Sequence, residues 1–587
     1  MKPTRDSYLI SRALRNFLFA SVLTSAATQV AVMTDAIIVS HFVGPDALSA
    51  INISSPVITI IAAISLLLGS GASMLAAKSI GHQETERVRQ IFSVAIVSVA
   101  LVGVVLAVLL AVFNSPIVAL ICPNAQLAPY VRSYLYLMMA AGTLPLFLSY
   151  TLNAFIQSDG APQLVTRAVV TGGVVNIVLD LLFVGYFQLG ISGAALATIL
   201  NYVIAITMVL PRLFSASSAY RWQLPGWGLF GSILRSNMRE GTPMMIGNLM
   251  LGVIVLALNA IILNALGTDG MFAWSVCLQV LLLSVVLLNG VGNALFSIGG
   301  MLVGEQDYAG LSMLVRKALT VIVSVLAFFV LFVLAWPSAM ATLFGADTPE
   351  RTAYLCTVLR IFSLVLIPFA VTTVMRSIFQ LLEYRLLSML LAIGQLLVMV
   401  AVVGAFARWN APQLWWGFPL SALLLIGVQV LTTTAIHLRH PEVSAFTLIA
   451  AEEAGHTMGF SVAYRMEDLI KALAEIRLFL GQNGVERHRI NQVMQVCEEM
   501  MKNVIDHTQG RVQEHTFDLH FRVTDSHVAM AMKDAGKPFN PLEKMKEIAS
   551  VTDYEHLGLK IASGQQENIS YKYMFGQNIL FAKFTKQ

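Results

Sequence analysis

Two groups of residues in this chain of 587 have types and spacings that suit chemistry. The first lies in "CEEMMKNVIDHT", where Glu499, Asn503 and His507 follow one another at four-residue steps. That spacing puts a carboxylate, an amide and an imidazole on one face of a predicted helix. The second group is a pair of acids, Asp35 and Asp180, inside otherwise apolar stretches. The elements that must position the two groups differ, since the first group lies on a helix with polar residues and the second lies inside apolar stretches.

The composition divides the chain into an apolar part and a polar part. Overall 57% of residues are hydrophobic and 12% are charged, against about 25% charged in a typical soluble protein. Residues 1–459 hold 21 Lys and Arg and 17 Asp and Glu, whereas residues 460–587 hold 16 of each sign. The first part is therefore predicted to lie in a membrane and the second to be a soluble domain, with residues 439–459 as the linker.

Charge and cysteine content exclude some classes of protein. The formal net charge of +4 gives no reason to expect nucleic acid binding. The four cysteines are scattered along the chain without a paired spacing, so neither a disulfide framework nor a structural metal site is predicted. The basic N-terminus precedes an apolar stretch without a small-residue cleavage site, which indicates a retained first membrane span.

Twelve apolar stretches are long enough to cross a bilayer, which takes about 20 residues. The predicted spans are 16–40, 48–77, 91–113, 132–156, 165–187, 191–213, 237–265, 271–302, 318–340, 354–380, 386–407 and 413–437. Alternate connections are rich in Lys and Arg, and the others contain almost none. The positive-inside rule then places both termini in the cytoplasm, and the even number of spans agrees with this.

The two halves of the membrane part resemble each other. "HFVGPDALSA" aligns with "NALGTDGMFA", and "SIGHQET" aligns with "LVGEQDY", at one offset: 267 − 44 and 304 − 81 both equal 223. We therefore expect two parallel six-span lobes, residues 1–214 and 215–438, an arrangement that favours alternating access. The alternative is a chance alignment of glycine-rich apolar sequence.

An acid at the centre of a membrane span costs a few kcal/mol, so such acids usually face a cavity and serve function. Asn176 lies one helical turn before Asp180 and shares its face. A buried carboxylate of this kind is suited to exchange a proton or bind a cation. The alternative is that Asp35 and Asp180 lie near the membrane interface and only hold helices together.

Three stretches of the membrane part resemble the MATE family of multidrug and toxic-compound extrusion antiporters: "QVAVMTDAIIVSHFVGPDALSAINISSP", "NAFIQSDGAP" and "VVNIVLDLLFVGYFQLGISGAALATILN". The resemblance covers roughly residues 1–440. It implies export of organic solutes in exchange for H⁺ or Na⁺, with the choice of ion open. It also implies an N-lobe cation site at five positions: Asp35, Asn153, Asn176, Asp180 and Thr198. Spans seven, eight and ten lack a central acid, so coupling is expected in the N-lobe alone.

The polar part is predicted to be an α/β domain. Two helical stretches, 466–484 and 485–508, are followed by alternating stretches typical of paired strands at 515–525, 526–536, 567–575 and 577–584. Beside Glu499-x-x-x-Asn503, the sequence has "KDAGKPFNP" after the second strand and "EHLGLKIAS" before a helix. An Asp at a strand end can accept a hydrogen bond from adenine, and glycines allow close approach of the backbone to a nucleotide.

These three motifs, in this order, resemble the GHKL (Bergerat-fold) ATPases and most of all the anti-sigma-factor serine kinases. The resemblance implies that Glu499 is the base that activates the phosphate acceptor and that Asn503 holds the Mg²⁺ of ATP. It also implies that Asp534 and Gly536 bind adenine and that Gly558 lies under the phosphates. "VTDYEHLGL" has a single glycine where the family often has a glycine-rich lid, which puts phosphoryl transfer in doubt.

The sequence therefore predicts a MATE-type antiporter for cationic or amphipathic organic solutes, with a cytoplasmic ATP-binding domain that regulates or signals. This antiporter hypothesis places the protein in a bacterial inner membrane. An alternative is a membrane-anchored serine kinase that uses the MATE-like part as a sensor and acts on an anti-anti-sigma-type partner protein. A third hypothesis is a flippase for a lipid-linked precursor.

Overall fold

The computed structural model describes residues 6, 8–122, 127–215, 218–343, 348–450, 456–508, 516–538, 540 and 568–586. The α-helices of the apolar part are α1 (Tyr8–Phe42), α2 (Pro45–Ser65), α3 (Gly71–Gly81), α4 (Thr85–Val112), α5 (Asn114–Ile121), α6 (Ala128–Leu137), α7 (Thr143–Ser158), α8 (Pro162–Asp180), α9 (Ile191–Phe214), α10 (Trp227–Ala294), α11 (Gly300–Glu305), α12 (Tyr308–Ala335), α13 (Pro337–Leu343), α14 (Pro349–Ser363), α15 (Leu366–Leu381), α16 (Arg385–Trp409) and α17 (Gly417–Arg439).

Several of these helices join end to end. Four π-helical segments continue helices within a span: Leu66–Ser70, Met138–Gly142, Leu181–Tyr186 and Leu295–Gly299. The 3₁₀ segment Ala411–Trp416 leads into α17. Conversely, α10 is interrupted at Gly267, where φ is +63°, so it comprises two spans. A helix satisfies its own backbone hydrogen bonds, which is why apolar stretches of this length fold as helices in lipid.

The described residues contain twelve candidate membrane spans, numbered here as spans 1 to 12: Tyr8–Val39, Ile53–Gly81, Thr85–Val112, Ala128–Ser158, Pro162–Tyr186, Ile191–Phe214, Trp227–Gly267, Asp269–Glu305, Tyr308–Ala335, Pro349–Leu381, Arg385–Trp409 and Ala411–Arg439. Each overlaps one predicted span. The prediction of a twelve-span membrane protein is confirmed, with most helices extending several residues beyond the predicted ends.

Backbone conformation repeats between the two lobes. Gly44 and Gly267, which the sequence aligns, both have positive φ, at 117° and 63°. Gln83 and Gln306, also 223 positions apart (306 − 83), have φ of 61° and 57°. Non-glycine residues rarely adopt this left-handed conformation. Its recurrence at equivalent turns supports the duplication that the sequence indicates.

The lobes meet through glycines at the ends of spans 2 and 8. A Cβ added to Gly81 would lie 2.8 Å from the Cα of Gly304, and a Cβ added to Gly304 would lie 2.8 Å from the Cα of Gly81. Farther along span 2, a Cβ on Gly71 would lie 2.4 Å from the backbone N of Gly241 in span 7. The two lobes are therefore in backbone contact at these ends.

The polar part forms a five-stranded antiparallel sheet in the order β1-β2-β3-β5-β4. Its strands are β1 (Thr457–Ala463), β2 (Thr516–Val523), β3 (His527–Asp534), β4 (Asn568–Met574) and β5 (Gln577–Thr585), and its helices are α18 (Met466–Gln482) and α19 (Arg487–Thr508). The two helices and the last four strands confirm the predicted elements. Strand β1 was not predicted, because Gly459 interrupts a short stretch with little alternation.

The two faces of the sheet have different partners. On one face, Leu519, Met532 and Leu580 share a register row and pack in the apolar core with α18 and α19. On the other face, Ile579 and Phe581 belong to the core of the membrane part. We call this second face the docking face. Its charged residues and histidines are Asp518, His520, Arg522, His527, Lys533, Lys572 and Lys583.

The turn between β4 and β5 also contacts the membrane part. Gln577 Nε2 donates to the carbonyl of Leu9 at 2.6 Å, and the backbone N–H of Phe575 donates to the carbonyl of Gly160 at 3.3 Å. The rings of Phe575 and Phe17 lie 6.0 Å apart. Gly160 has φ of +78°, and a Cβ there would lie 2.6 Å from Met574. The sheet is thus held between its own helices and the membrane part.

Candidate functional site

Two acids and a tyrosine of the N-lobe come together in the structure. Asp35 lies on α1 and Asp180 is the last residue of α8, and these two helices pack against each other. The charge of Asp35 acts on Asp180, and both charges act on Tyr134 of α6. The sequence predicted the proximity of the acids. It did not predict Tyr134, because one tyrosine in an apolar helix carries no signal of its own.

Polar atoms at this site are buried without a hydrogen-bond partner among the described residues. They are both carboxylate oxygens of Asp180, Oδ1 of Asp35, Nδ2 of Asn176 and Oδ1 of Asn153. Asp180 is fully buried and Asn176 is 4% exposed. Because buried polar groups are nearly always satisfied, a bound proton, cation or water suits these atoms. The donor set therefore fits the predicted proton or cation site.

Two predicted members of the site are less closely tied to it. Asn153 on α7 and Thr198 on α9 are half-buried. Within the part of the chain described, no hydrogen bond or charge interaction joins either residue to Asp35 or Asp180, although Oδ1 of Asn153 is buried without a hydrogen-bond partner. Their assignment stays a prediction from the family resemblance.

Two acids of the C-lobe, Glu240 and Glu383, have cationic partners. Glu240, in span 7, pairs with Arg385 and lies 3.6 Å from Nζ of Lys78. Lys78 Nζ also lies 3.2 Å from Oε1 of Glu383. Since Lys78 belongs to the N-lobe and the other three to the C-lobe, this network holds the lobes together. Compensated charges of this kind suit a structural role better than ion coupling.

One cation within span 10 was not singled out from the sequence. Arg376 on α15 lies against span 7, where a Cβ added to Gly247 would be 3.1 Å from its Nη2. Charged residues at such positions usually face other helices or a cavity. Arg376 is therefore a candidate site residue on the C-lobe, which lacks a central acid.

The structure places part of the predicted nucleotide site. Asp534 ends β3 and is 6% exposed. Its Oδ1 accepts hydrogen bonds from the backbone N of Gly536 at 2.7 Å and from Nδ2 of Asn578 at 2.9 Å. Burial raises the pKa of Asp534, although these hydrogen bonds and the charge of Arg12 oppose the rise. A Cβ on Gly536 would lie 2.7 Å from that carboxylate oxygen, so a larger residue there would displace the carboxylate of Asp534.

The other predicted nucleotide residues are described in part. Glu499 and Asn503 lie one turn apart on α19, and both are half-buried. Their spacing on one helix face agrees with the predicted motif. Gly558 and the side chain of His507 lie outside the described residues. The side chains present thus fit an adenine site at Asp534, and the assignment of the phosphate end remains a prediction.

The first membrane helix lies beside this site. Arg12 Nη1, near the start of α1, donates to the carbonyl of Ala535 at 3.0 Å, directly between Asp534 and Gly536. The backbone N of Asp6 donates to Ser461 Oγ of β1 at 2.7 Å. The sequence contained no signal for this contact, because the residues involved are more than 450 positions apart.

Twelve spans in two repeats, with a buried acid pair and an attached α/β domain, define a multi-pass membrane protein joined to a domain of nucleotide-binding type. Residues 20–182 match the MatE family model, and residues 462–580 match the model of the histidine kinase-like ATPase domain. The chain thus contains both domains that the sequence motifs indicated.

Similar proteins are multidrug transporters. Over 206 residues the chain is 24% identical to the probable multidrug resistance protein YoeA of Bacillus subtilis, covering 34% of this chain and 44% of that protein. Over 212 residues it is 23% identical to the multidrug export protein MepA of Staphylococcus saprophyticus, covering 36% and 47%. The matched stretch spans less than half the length of these curated relatives.

Solved structures show the same fold. A crystal structure of MATE in complex with MaL6 superimposes with a TM-score of 0.67 at 21% identity, covering 71% of this chain and 94% of that one. The outward-facing conformation of a multidrug resistance MATE family transporter of the MOP superfamily gives 0.66 at 21% identity, covering 73% and 97%. The membrane part therefore has the MATE fold.

Proposed function

We propose that this protein is a secondary antiporter that exports organic or xenobiotic solutes in exchange for H⁺ or Na⁺. The observation that carries the proposal is the N-lobe acid pair, Asp35 and Asp180, with buried oxygens that lack hydrogen-bond partners in the described residues. The MATE fold and the similarity to multidrug exporters support it.

The acid pair supplies a coupling mechanism. Two carboxylates that act on each other's charge cannot both remain ionised and unpartnered in apolar surroundings without a large cost. Binding of a proton or cation at Asp35, Asp180 and Asn176 removes that cost, and its release restores it. If solute and ion favour opposite lobe arrangements, the ion gradient drives export. Asn153 and Thr198 are proposed as further members of this site.

The C-lobe offers different chemistry. Its acids Glu240 and Glu383 are paired with cations, and Arg376 is the candidate for contact with an anionic or carbonyl group of the solute. Cationic or amphipathic solutes remain the proposed substrate class, because the uncompensated acids lie in the N-lobe.

We assign residues 1–214 to the N-lobe, 215–438 to the C-lobe, 439–459 to a linker and 460–587 to the ATP-binding domain. Both termini are proposed to lie in the cytoplasm of a bacterial cell, with the protein in the inner membrane. The supporting observation is the alternation of Lys and Arg between successive connections.

The C-terminal domain is proposed to bind Mg²⁺ and ATP and to regulate transport. Asp534 and Gly536 would hold adenine, Asn503 the Mg²⁺, and Gly558 the phosphates, while Glu499 would act as base in any phosphoryl transfer. Regulation is supported by position: Lys533, the neighbour of Asp534, forms a buried ion pair with Glu305 of span 8, and Arg12 of α1 contacts Ala535.

The test is efflux of a fluorescent organic cation from proteoliposomes after a pH jump, or with a Na⁺ gradient, with and without Mg·ATP on the domain side. Efflux that requires both Asp35 and Asp180 supports the antiporter, and an ATP effect lost in Asn503→Ala supports regulation. Absence of efflux with any cation or gradient would refute the proposed function.

A second candidate is a membrane-anchored serine kinase with a partner protein of the anti-anti-sigma type. The match to the histidine kinase-like ATPase domain and the Glu499–Asn503 spacing on α19 favour it. Under this hypothesis Asp35→Asn leaves signalling intact, whereas Glu499→Ala abolishes phosphorylation of the partner. Transfer of labelled phosphate from ATP to an anti-anti-sigma-type protein distinguishes the two.

A further inference from the structure

A cavity that is partly open to solvent lies between the docking face of the sheet and the ends of the membrane spans. The residues that matter for its chemistry are His82, Glu305, His520, Arg522, His527 and Lys583. It is separate from the predicted nucleotide site, which lies at the end of β3 beside α1.

The charges around this cavity do not balance within the described residues. The docking face carries four Lys and Arg side chains. Lys533 is occupied by Glu305, at 2.6 Å from Nζ to Oε2, and the charge of Asp159 acts on Lys572. Arg522 and Lys583 line the cavity. Glu305, the one acid among its described lining residues, acts on Arg522 as well as on Lys533, so the cations are in excess.

Arg522 also carries a buried hydrogen-bond donor. Its Nε is buried without a hydrogen-bond partner among the described residues, and burial lowers the pKa of its guanidinium. Three imidazoles add further donors: His82 from the turn after span 2, and His520 and His527 from the sheet. Guanidinium groups favour oxyanions such as phosphate, which accept two parallel hydrogen bonds.

We propose that this cavity is a binding site for a phosphate-type oxyanion, with Arg522 and Lys583 as its charge partners and the histidines as additional donors. The shared chemistry is the phosphoryl group. Its source is either a free ion, such as inorganic phosphate or pyrophosphate, or the headgroup of an acidic phospholipid at the membrane surface.

The position of the cavity gives the anion a structural consequence. His82 and Glu305 occupy equivalent positions in the two repeats (305 − 82 = 223), next to Gly81 and Gly304 where the lobes touch. An anion here contacts both lobes and the sheet together. Its binding therefore stabilises the docked domain and the closed ends of spans 2 and 8.

The experiment is isothermal titration of the full-length protein, purified in a phosphate-free buffer, with inorganic phosphate and with pyrophosphate. We expect saturable binding of at least one ion. Loss of a charge-assisted hydrogen bond should weaken it at least about tenfold in Arg522→Gln and in Lys583→Gln. Arg522→Lys keeps the positive charge but loses the planar guanidinium group, which can donate two parallel hydrogen bonds to one oxyanion. This variant should bind with an intermediate affinity.

A matched control variant makes the result specific. Lys471→Gln removes an exposed lysine of α18 that pairs with Asp468 at 3.2 Å, and it should bind like the wild type. The proposal is overturned if neither ion binds saturably, or if the Arg522 and Lys583 variants bind as tightly as the Lys471 variant.

Nanodiscs distinguish the two sources of the phosphoryl group. If the headgroup of an acidic lipid occupies the cavity, discs containing phosphatidic acid should show weakened phosphate binding relative to discs of phosphatidylcholine alone. Equal phosphate affinity in both discs assigns the site to a free ion. Either result supports the proposed oxyanion site, since binding requires Arg522 in both cases.

Discussion

Lys533 Nζ lies 2.6 Å from Oε2 of Glu305, and both side chains are at most 6% exposed. This ion pair joins β3 to the end of span 8. Asp534, the residue predicted to bind adenine, is the next residue along the strand. One peptide unit thus separates the residue predicted to bind adenine from a contact with the C-lobe, and Ala535, which follows it, contacts Arg12 in α1 of the N-lobe.

Removal of Lys533 should weaken the docking of the domain. Loss of one partner of a buried ion pair typically costs about 3–5 kcal/mol, because the other charge is left buried. Lys533→Met should therefore increase hydrogen exchange in β3 and accelerate proteolysis of the 439–459 segment. Lys471→Met, at an exposed position on α18, should leave both rates unchanged.

A double variant separates charge loss from packing loss. Lys533→Met combined with Glu305→Met replaces the pair by apolar side chains of similar length, which is often neutral for stability. We expect the double variant to exchange more slowly than Lys533→Met alone. If the single and double variants exchange alike, the pair is not what holds the sheet to span 8.

The membrane spans and most elements of the sheet could be predicted from sequence because their signals are local. A span needs only enough consecutive apolar residues, and β2 and β3 alternate along their length. The docking face could not be predicted. His520 and Arg522 alternate with apolar residues as they would on a solvent-exposed face, and only the distant Gly81–Gln83 turn and Glu305 show that they are covered.

The residues of the candidate sites also divide into those with a local sequence signal and those that only the fold brings to the site. Asp35 and Asp180 were predictable because an acid in an apolar span is conspicuous, and Asp534 because a motif surrounds it. Tyr134 and Arg12 acquire their roles through the fold, from helices that approach the acids or the β3 end in space. The sequence did not distinguish them from other tyrosines and arginines.

Neutralising either acid of the N-lobe pair should abolish gradient-driven efflux. Asp35→Asn and Asp180→Asn each remove one of two groups that act as a unit, so the double variant should be no worse than the single ones. The measurement is initial efflux rate from proteoliposomes at matched protein content.

Asp269→Asn is the matched control for this series. Asp269 begins span 8, its side chain is 60% exposed, and it pairs with Arg351 at 3.1 Å. Its replacement should leave the efflux rate near that of the wild type. Additive partial losses in Asp35→Asn and Asp180→Asn would show that the two acids act independently.

Nucleotide binding should depend on the turn after β3. Asp534→Ala removes the acceptor for adenine, and Gly536→Ala places a Cβ 2.7 Å from Oδ1 of Asp534. Each change should reduce the affinity of the full-length protein for a fluorescent ATP analogue at least about tenfold. Asp525→Ala, at the exposed β2–β3 turn, should have no effect. Equal affinity in all four proteins would refute adenine binding at Asp534.

Docking of the domain should weaken at acid pH in the absence of phosphate. Burial lowers the pKa of His82 and of His527 below the ordinary value of 6.5 in the docked state. Undocking removes this burial and raises both pKa values toward 6.5, so the undocked state binds more protons as the pH falls through this range. Docking is then strongest above pH 6.5 and is progressively lost below it.

Other charged groups near these histidines set the size of the effect. His82 interacts with Glu84, which favours its charged form, and with cations that oppose it: Lys78, Arg87 and Arg522. His527 interacts with Lys583 and Arg522, and the cavity also contains Glu305 and His520. An oxyanion among these cations stabilises protonated imidazoles, so phosphate should restore docking at low pH.

Hydrogen exchange in β2 and β3, corrected for the intrinsic effect of pH, measures this dependence. From about pH 7.5 to about pH 5.5 we expect faster exchange in phosphate-free buffer and little change with phosphate present. The double variant His82→Gln/His527→Gln should flatten the pH dependence. Exchange that slows on acidification without phosphate would contradict the assignment, because it would mean that the docked state binds more protons than the undocked state.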